Sequence, residues 1–435
     1  MSNVIIDPTC PEFNRGSFCY QPYYIYAGLK ETIGHMEDVV LVEDFNAANI
    51  DSLPYINDAR HRPKYWIAFW SHSQLEQVRT LLRFLPDRSA TVFGYEHLIK
   101  HHQMPFHHVD PEILRQGMTA APKYFNEFKH VLLSDCDMHL AEYQGQVYPL
   151  CTSYGCPNAC SFCPSSANQP KRITLPLNEV LNMLEYMESQ GRTNIHFTDE
   201  DFFYNTDRTA KIAKWLSARK CKWQIIALSS AYNLLRFLTT YGAGLLHTAG
   251  FKLIEVGLET ADAEQSKALG KDFLLCEQLA EQCTVPILWL TMTFAPGETI
   301  ETLGATGRFL TKHGMQPNHL YPRIVTNGTV GGLGQFFTLY EGTPGFYEAQ
   351  NTGIILSSRP LRLIPSYVPI SFLDSRIHSQ REVTAAEQYW YRLYRVNPPM
   401  SSYVGQKISE AILNWDISEE GILSLAISSR LGVIQ

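Results

Sequence analysis

Cys156, Cys160 and Cys163 stand on one short run, Tyr154-Gly-Cys-Pro-Asn-Ala-Cys-Ser-Phe-Cys-Pro164. Thiolates are soft ligands that suit zinc, copper(I) and iron–sulfur clusters. Three of them on one loop can hold three corners of a cubane cluster, and no fourth cysteine follows at a matching short spacing. One iron is then left without a protein ligand, and an open metal position marks a site that binds something else and does chemistry. A structural zinc site would want four ligands, usually as two separated pairs. The nearest fourth candidate, Cys151, sits on what reads as the strand entering the loop and suits a packed core thiol better. A disulfide framework does not suit a chain of 435 residues.

Further polar residues fall at the ends of apolar runs. Phe197-Thr-Asp-Glu-Asp-Phe-Phe203 places Asp199, Glu200 and Asp201 side by side, which is costly unless they meet a cation or hydrogen-bond donors. The alternative is a helix-capping cluster leading into Thr206 and Asp207. Ile254-Glu-Val-Gly-Leu-Glu-Thr260 carries Glu259, and Lys271 follows it. Leu228-Ser-Ser230 offers Ser229, a donor without charge. Thr293-Phe-Ala-Pro-Gly-Glu-Thr299 offers Gly297, where backbone can come close to a ligand; helix capping alone would explain Glu298. His97, His101, His102, His107 and His108 crowd one segment, but their spacing suits no single helix face, and they read as solvated or locally satisfied.

The elements that must position these residues follow from periodicity. Candidate strands at 146–152, 194–198, 223–228, 253–257, 287–294 and 319–326 alternate with helical patterns at 177–189, 209–220, 232–241, 262–269, 274–282 and 300–312. Six strands joined by helices imply a partial (β/α)6 TIM-like barrel, with chemistry at the carboxyl ends of its strands. Before it, apolar runs at 4–6, 39–42, 65–70, 90–93 and 131–133 alternate with helical patterns at 24–34 and 73–84. That order reads as a doubly wound, Rossmann-like α/β domain whose ligand edge is formed by the loops after its strands. A glycine-rich insertion at 328–334 lacks the lysine of a phosphate loop. The expected division is 1–140, 146–355 and a mostly helical extension over 356–435, where Tyr389, Trp390, Tyr391 and Tyr394 suit core packing.

Composition bounds the function. With 45% hydrophobic and 18% charged residues the balance is globular. A net charge of −7 argues against a nucleic-acid partner, since phosphate binding needs a basic face. No apolar stretch is long enough to suggest a membrane span, the N-terminal residues do not read as a signal peptide, and unpaired cysteines suit a reducing compartment. The expectation is a cytoplasmic enzyme without a membrane partner.

The C-x3-C-x2-C spacing, with Phe162 before the last cysteine, resembles the signature of the radical S-adenosylmethionine (SAM) superfamily. Ile5-Ile-Asp-Pro-Thr-Cys-Pro11, the acidic strand end at 199–201, the glycine–glutamate strand at 254–260, the Pro-Gly-Glu-Thr turn and Glu341-Gly-Thr-Pro-Gly-Phe-Tyr-Glu348 resemble the members with a cobalamin-binding domain. The chain departs from that pattern in having no D-x-H-x-x-G segment, and in carrying Phe93-Gly-Tyr-Glu-His97 where a glycine pair is usual. At Leu228-Ser-Ser230 relatives often carry a basic residue for the cofactor carboxylate.

The resemblance implies a [4Fe-4S] cluster on Cys156, Cys160 and Cys163, SAM, and cobalamin as a further cofactor. Phe162, Asp199, Glu200, Asp201, Ser229, Glu259 and Gly297 are the implied cofactor-binding residues, with Asp199–Asp201 facing the SAM amino group and ribose, Glu259 the ribose hydroxyls and Gly297 the adenine. The implied reaction is cleavage of SAM to a 5′-deoxyadenosyl radical, most simply in a cobalamin-dependent C-methyltransferase acting on a small molecule or natural-product intermediate. A reducing electron donor such as flavodoxin or ferredoxin would be required. The alternatives are a cobalamin-independent radical SAM rearrangement, oxidation or ring closure, and a non-catalytic metal-stabilised binding protein.

Overall fold

The computed structural model describes residues 3–8, 21–33, 39–56, 63–69, 74–85, 90–94, 99–128 except 101 and 105–108, 146–163 except 159, 172–293, and short stretches between 302 and 347. Strand β1 (Asn3–Pro8), helix α1 (Gln21–Ile33), strands β2 (Val39–Phe45) and β3 (Lys64–Phe69), helix α2 (Leu75–Phe84) and strand β4 (Ala90–Gly94) begin the chain. The four strands are parallel, in the order β2-β1-β3-β4. Strand alternation sends Val4, Ile6, Tyr65, Ile67 and Val92 against Val78 and Leu81 of α2, while Ile5, Trp66, Ala68 and Phe93 join the core that contains α1. Both faces are buried, as a parallel sheet requires, and the expected doubly wound layout is present. The expected strand at 131–133 lies outside the described residues.

Helix α3 (Pro111–Tyr124) was not apparent in the sequence, because Pro111 and Pro122 bracket it and the histidine-rich run before it masks its start. The Asp110 side chain accepts from the Glu112 amide, and Pro111 takes the first turn, where its missing N–H costs nothing. It crosses α1 at Gly28 and Gly117, where a Cβ on either glycine would collide with the Ile113 or Tyr24 carbonyl oxygen of the other helix. Only hydrogen at both Cα atoms lets the two backbones come this close.

The second half begins with β5 (Tyr148–Leu150) and an antiparallel pair, β6 (Ser153–Tyr154) and β7 (Ile173–Thr174), from which the cysteine loop hangs. Strand–helix units follow: α4 (Leu177–Ser189), β8 (Asn194–Phe197), α5 (Thr206–Ser217), β9 (Gln224–Ser229), α6 (Ala231–Tyr241), α7 (Ala243–Ala249), β10 (Phe251–Glu259), α8 (Ala263–Ala268), α9 (Phe273–Gln282), β11 (Ile287–Thr293) and β12 (Gln335–Phe336). The sheet is parallel and six-stranded, ordered β12-β11-β10-β9-β8-β5.

Several boundaries differ from the sequence reading. The strand beside β11 is Gln335–Phe336, just after the glycine-rich run, whereas the expected 319–326 lies outside the described residues. Helix α5 starts at Thr206 rather than 209 because the Asn205 side chain accepts from the Arg208 amide and caps it. The strand expected over 146–152 pairs only through Leu150, since Thr152 and Ser153 leave the ladder to bind Asp199. The helical extension expected over 356–435 lies outside the described residues.

The barrel strands send Ile195, Phe197, Ile225, Ala227, Ile254, Val256 and Trp289 outward into the core shared with α1 and α3. Their inward face carries a small apolar plug of Val147, Ile226 and Leu253, with Leu288 against it. Helix α3 also ties the two halves together. Arg115 pairs with Glu179 of α4 at 2.6 Å, Thr119 donates to the same carboxylate, and Arg192 donates to the Pro122 carbonyl oxygen. No described helix is long and apolar enough to cross a membrane.

Replacing Gly117 by alanine tests the helix crossing. Overpacking at a backbone contact costs about 1–3 kcal/mol, so G117A should shift the urea midpoint downward, while Gly244→Ala, on a helix where the added Cβ would meet nothing, should not.

Candidate functional site

The cysteine loop is rooted in the strand ends by carboxylates. Asp199, just past β8, is 1% exposed and accepts from the Thr152 amide at 2.8 Å, the Thr152 hydroxyl at 2.7 Å and the Ser153 hydroxyl at 2.6 Å. Glu200 accepts from the Gly155 amide at 3.1 Å, one residue before Cys156, where the chain turns with Gly155 at φ 92°. Asp201 looks the other way and accepts from the Ser229 and Ser230 hydroxyls and the Asn233 side-chain amide, at 3.2, 2.7 and 2.7 Å. Three adjacent acids thereby bind the cysteine loop, the end of β9 and the first turn of α6 into one unit.

Two arginines stand among them. Arg208 donates to the Thr152 hydroxyl and to the Thr152 and Leu175 carbonyl oxygens. Arg172 donates to the Ser153 hydroxyl and the Asp201 carbonyl oxygen, and its guanidinium lies over the Tyr204 ring. Its Nη1 is buried with no hydrogen-bond partner among the described residues. Burial pushes the Asp199 carboxyl above its usual range. Burial, with Asp199 adding to it, pushes Glu200 up to about 7, although the Gly155 amide and Arg172 pull it down. The neighbouring guanidinium groups thus do not offset the desolvation of Asp199 and Glu200, and a cationic group binding at Glu200 would be stabilised.

Cys156, Cys160 and Cys163 are half-buried and free of disulfides, and the Cys163 amide donates to the Cys160 carbonyl oxygen across a tight turn. Burial pushes the Cys156 thiol up to about 11. Among the described residues no three His, Cys, Asp or Glu side chains converge on a single metal ion. A cubane cluster takes each thiolate on a different iron, so its ligands need not converge on one point. Cys151, by contrast, is 2% exposed, and its Sγ donates to the Ser153 carbonyl oxygen. Gly345 reaches back to the loop: its amide donates to the Ser161 carbonyl oxygen at 2.9 Å, and a Cβ there would lie 3.1 Å from that oxygen.

Glu259 closes β10 at the same edge of the sheet. Its φ is 64°, an uncommon conformation for a residue with a side chain, and the register against β11 shifts between Gly257 and Glu259. The carboxylate folds back over Gly257, where a Cβ would come within 2.7 Å of Oε1, and pairs with Lys271 at 3.3 Å. Deeper, above the apolar plug, inward-facing His196 and Glu255 approach to 3.7 Å across β9.

Cys156, Cys160, Phe162, Cys163, Asp199, Glu200, Asp201, Ser229 and Glu259 therefore all belong to the strand-end region of the barrel, whereas Gly297 lies outside the described residues. The Ser229 hydroxyl is shared between Asp201 and the Ser230 carbonyl oxygen. Of the five clustered histidines, His102 packs against Phe69 at 6.1 Å, and His97, His101, His107 and His108 lie outside the described residues. Sequence reasoning did not single out Arg172, Arg208, Asn233 or Gly345. Their importance comes from partners distant in the chain, and only the Gly345 segment carried a motif.

Residues 150–310 match the family model described as the Radical SAM superfamily. This segment is a radical SAM domain. No curated protein matches the sequence. Among solved structures, the fold resembles OxsB, a cobalamin-dependent SAM radical enzyme with aqua-cobalamin and SAM bound, at TM-score 0.58 and 13% identity, covering 100% of this chain and 75% of that one. It also resembles the radical SAM methyltransferase TsrM from Kitasatospora setae with cobalamin and a [4Fe-4S] cluster bound, at TM-score 0.56 and 12% identity, covering 99% of this chain and 100% of that one. TsrM with tryptophan and a SAM analogue gives TM-score 0.54 at 12% identity, over 82% of this chain and 78% of that one. At such identities the likeness is one of fold, and it extends beyond residues 150–310 to both halves of the chain.

Two outcomes follow from the acid cluster. Asp199→Ala leaves three donors at the root of the cysteine loop without their acceptor, each costing about 1–3 kcal/mol; iron content and urea stability should both fall, whereas Cys151→Ala should keep its iron. Glu200 holds its proton more tightly folded than unfolded, so its contribution is full below the unfolded value of 4.5 and is lost as pH rises through about 7. In metal-free protein this amounts to about 3 kcal/mol. Glu200→Gln should remove that part of the slope between pH 5 and 8 in urea titrations.

Proposed function

We propose that this radical SAM enzyme is a cobalamin-dependent C-methyltransferase acting on a small molecule. The observation that carries the reading is the joining of the half-buried Cys156, Cys160 and Cys163 loop to the acidic end of β8, with Glu259 at the same sheet edge. The thiol donor set suits an iron–sulfur cluster, and the Arg172 Nη1, buried without a partner among the described residues, suits an anionic ligand group close by. When bound, the [4Fe-4S] cluster supplies the electron that cleaves SAM to a 5′-deoxyadenosyl radical, chemistry no side chain can start alone.

The chain's own residues bind and orient. Cys156, Cys160 and Cys163 hold the cluster. Glu200, whose carboxyl is short of a compensating cation, receives the SAM ammonium. Arg172 supplies the positive charge for the SAM carboxylate that Ser229 and Ser230, both donating to Asp201, do not. Asp199 and Asp201 act by fixing the loop and the β9 end rather than by touching SAM. Glu259 faces the ribose, Gly297 lets backbone approach the adenine, and Phe162 packs beside the cofactor. Holding the reacting atoms aligned and excluding water is the protein's contribution to rate.

Cobalamin is assigned to the carboxyl edge of the β2-β1-β3-β4 sheet, in residues 1–140, where ligands of doubly wound sheets bind. The fold likeness to TsrM and OxsB over both halves of the chain supports this. With no D-x-H-x-x-G segment, no histidine of this domain is assigned as a lower cobalt ligand. Residues 146–355 form the catalytic unit and 356–435 an extension to it; a cytoplasmic flavodoxin or ferredoxin supplies electrons. The absence of the histidine motif also favours, as a second reading, a radical SAM reaction without cobalamin.

Anaerobic reconstitution with iron, sulfide and hydroxocobalamin decides between them. Retained cobalt and SAM-dependent 5′-deoxyadenosine support the proposal; 5′-deoxyadenosine without cobalt uptake favours the second reading; neither overturns both. Alanine at Cys156, Cys160 or Cys163 should each abolish SAM cleavage. Glu259→Gln should weaken SAM binding by calorimetry and leave iron content unchanged.

A further inference from the structure

The loop after β8 leaves an aromatic ring on the surface and still holds it in place. Tyr204 is 42% exposed, yet its amide donates to the Asp201 carbonyl oxygen at 3.3 Å and its carbonyl oxygen accepts from Arg236. The Arg172 guanidinium lies 4.3 Å from the centre of its ring. Arg236 also stands 5.7 Å from the ring of Tyr232, which is 56% exposed in the first turn of α6. On the adjoining helix α5, Lys214 lies 5.6 Å from the ring of Tyr241, whose hydroxyl donates to Asp207. Lys214 and Arg236 are exposed and form no ion pair among the described residues, whereas Arg79, Arg115, Lys123 and Arg219 each pair with a glutamate. In a chain of net charge −7, this rim therefore presents two cations outside any ion pair, set among tyrosine rings. Tyrosine and arginine are the residues that anchor protein interfaces, and a ring already held still loses little entropy on docking.

The same rim is bonded to the root of the cysteine loop. Arg172, whose guanidinium covers Tyr204, donates to the Ser153 hydroxyl at 2.9 Å, and Ser153 precedes Cys156 by three residues. Three residues of chain span at most about 11 Å, so a partner seated on Tyr204 brings its redox group near whatever the cysteines hold. We propose that the rim of Tyr204, Tyr232, Arg236 and Lys214 is the docking surface for an acidic one-electron donor protein of the flavodoxin type. The inference rests on the reading of the cysteine loop as a cluster site and adds where the electron enters. One electron passes from the reduced flavin to the cluster, so the flavin is oxidised by one electron and the cluster reduced by one. Acidic side chains of the donor meet Arg236 and Lys214, which steers its approach. A nucleic acid would also meet cations and rings here, but the negative charge of the whole chain disfavours it.

The test is calorimetric titration of the full-length, reconstituted protein with a flavodoxin at low and at high ionic strength. The unaltered protein should bind it, and more weakly at high salt. Lys214→Glu combined with Arg236→Glu should raise Kd about tenfold and flatten the salt dependence. Tyr232→Ala should raise Kd and leave the salt dependence as it is. Lys252→Glu, at the amino-terminal end of β10, should change neither. Formation of 5′-deoxyadenosine at limiting flavodoxin should fall in both rim variants and stay at the unaltered level when dithionite is the reductant. No flavodoxin binding by the unaltered protein, or an unchanged Kd in both rim variants, overturns the inference. Should the double variant not fold, Tyr232→Ala decides alone. Self-association, or binding of an RNA oligonucleotide, that the rim variants abolish while flavodoxin binding persists unchanged would give the surface to another occupant and also overturn it. No 5′-deoxyadenosine from the unaltered protein with dithionite would instead overturn the reading on which this rests.

Discussion

The structure depends most on a buried carboxylate with three donors. Asp199 takes the amide and hydroxyl of Thr152 and the hydroxyl of Ser153, and so fixes the end of one barrel strand to the start of the cysteine loop. A buried charge without donors would be prohibitive, and donors without the charge would be unsatisfied. Each side therefore makes the other tolerable. Asp201 repeats the device toward β9 and α6, and Glu200, between them, faces the loop with its own amide and that of Gly155 as donors. Three consecutive acids serve two purposes: the outer pair builds the frame and the central one stays available to a ligand.

Much of this was legible in the sequence, for physical reasons that can be named. The helix over Leu177–Ser189 and the strand start at Ile287 were read to the residue, because strong apolar periodicity and clear boundaries agreed there. The cysteine spacing and the acidic strand end were visible as types and intervals. Helix α3 was not, since it carries a proline near each end, although the one in the first turn costs nothing there. The roles within the acid triplet were also hidden. Which carboxylate meets a serine or an amide depends on strand register and on side chains contributed by β9 and α6, information that no local window contains. The same holds for Arg172 and Arg208, whose partners include residues of the cysteine-loop root.

The described residues of the two halves of the chain are packed against one another. Ile5, Trp66 and Phe93 of the first sheet share one continuous core with Ile195, Val256 and Trp289 of the second, with α1 and α3 between them. The glycine contacts at 28 and 117 set the spacing of that middle layer, and the Tyr24 hydroxyl on α1 comes within 3.4 Å of the Thr198 hydroxyl beside Asp199. An apolar core spanning both sheets resists relative sliding, because interiors are close-packed and deform little. The geometry between the loops of the first sheet and the mouth of the second is thereby a property of the shared core.

The backbone bond between Gly345 and Ser161 has a consequence for the order of events on the ribosome. The cysteine loop is complete as sequence once Cys163 has been made, yet the Ser161 carbonyl oxygen cannot accept from the Gly345 amide until residue 345 has been synthesised and folded back. Domains fold largely as units, and synthesis runs at about 5–20 residues per second. The three thiols therefore leave the ribosome seconds before the contact that closes their loop can form. During that interval they are exposed to oxidation and to adventitious metals, and a delivery system that loads iron and sulfur after release would meet a loop already closed.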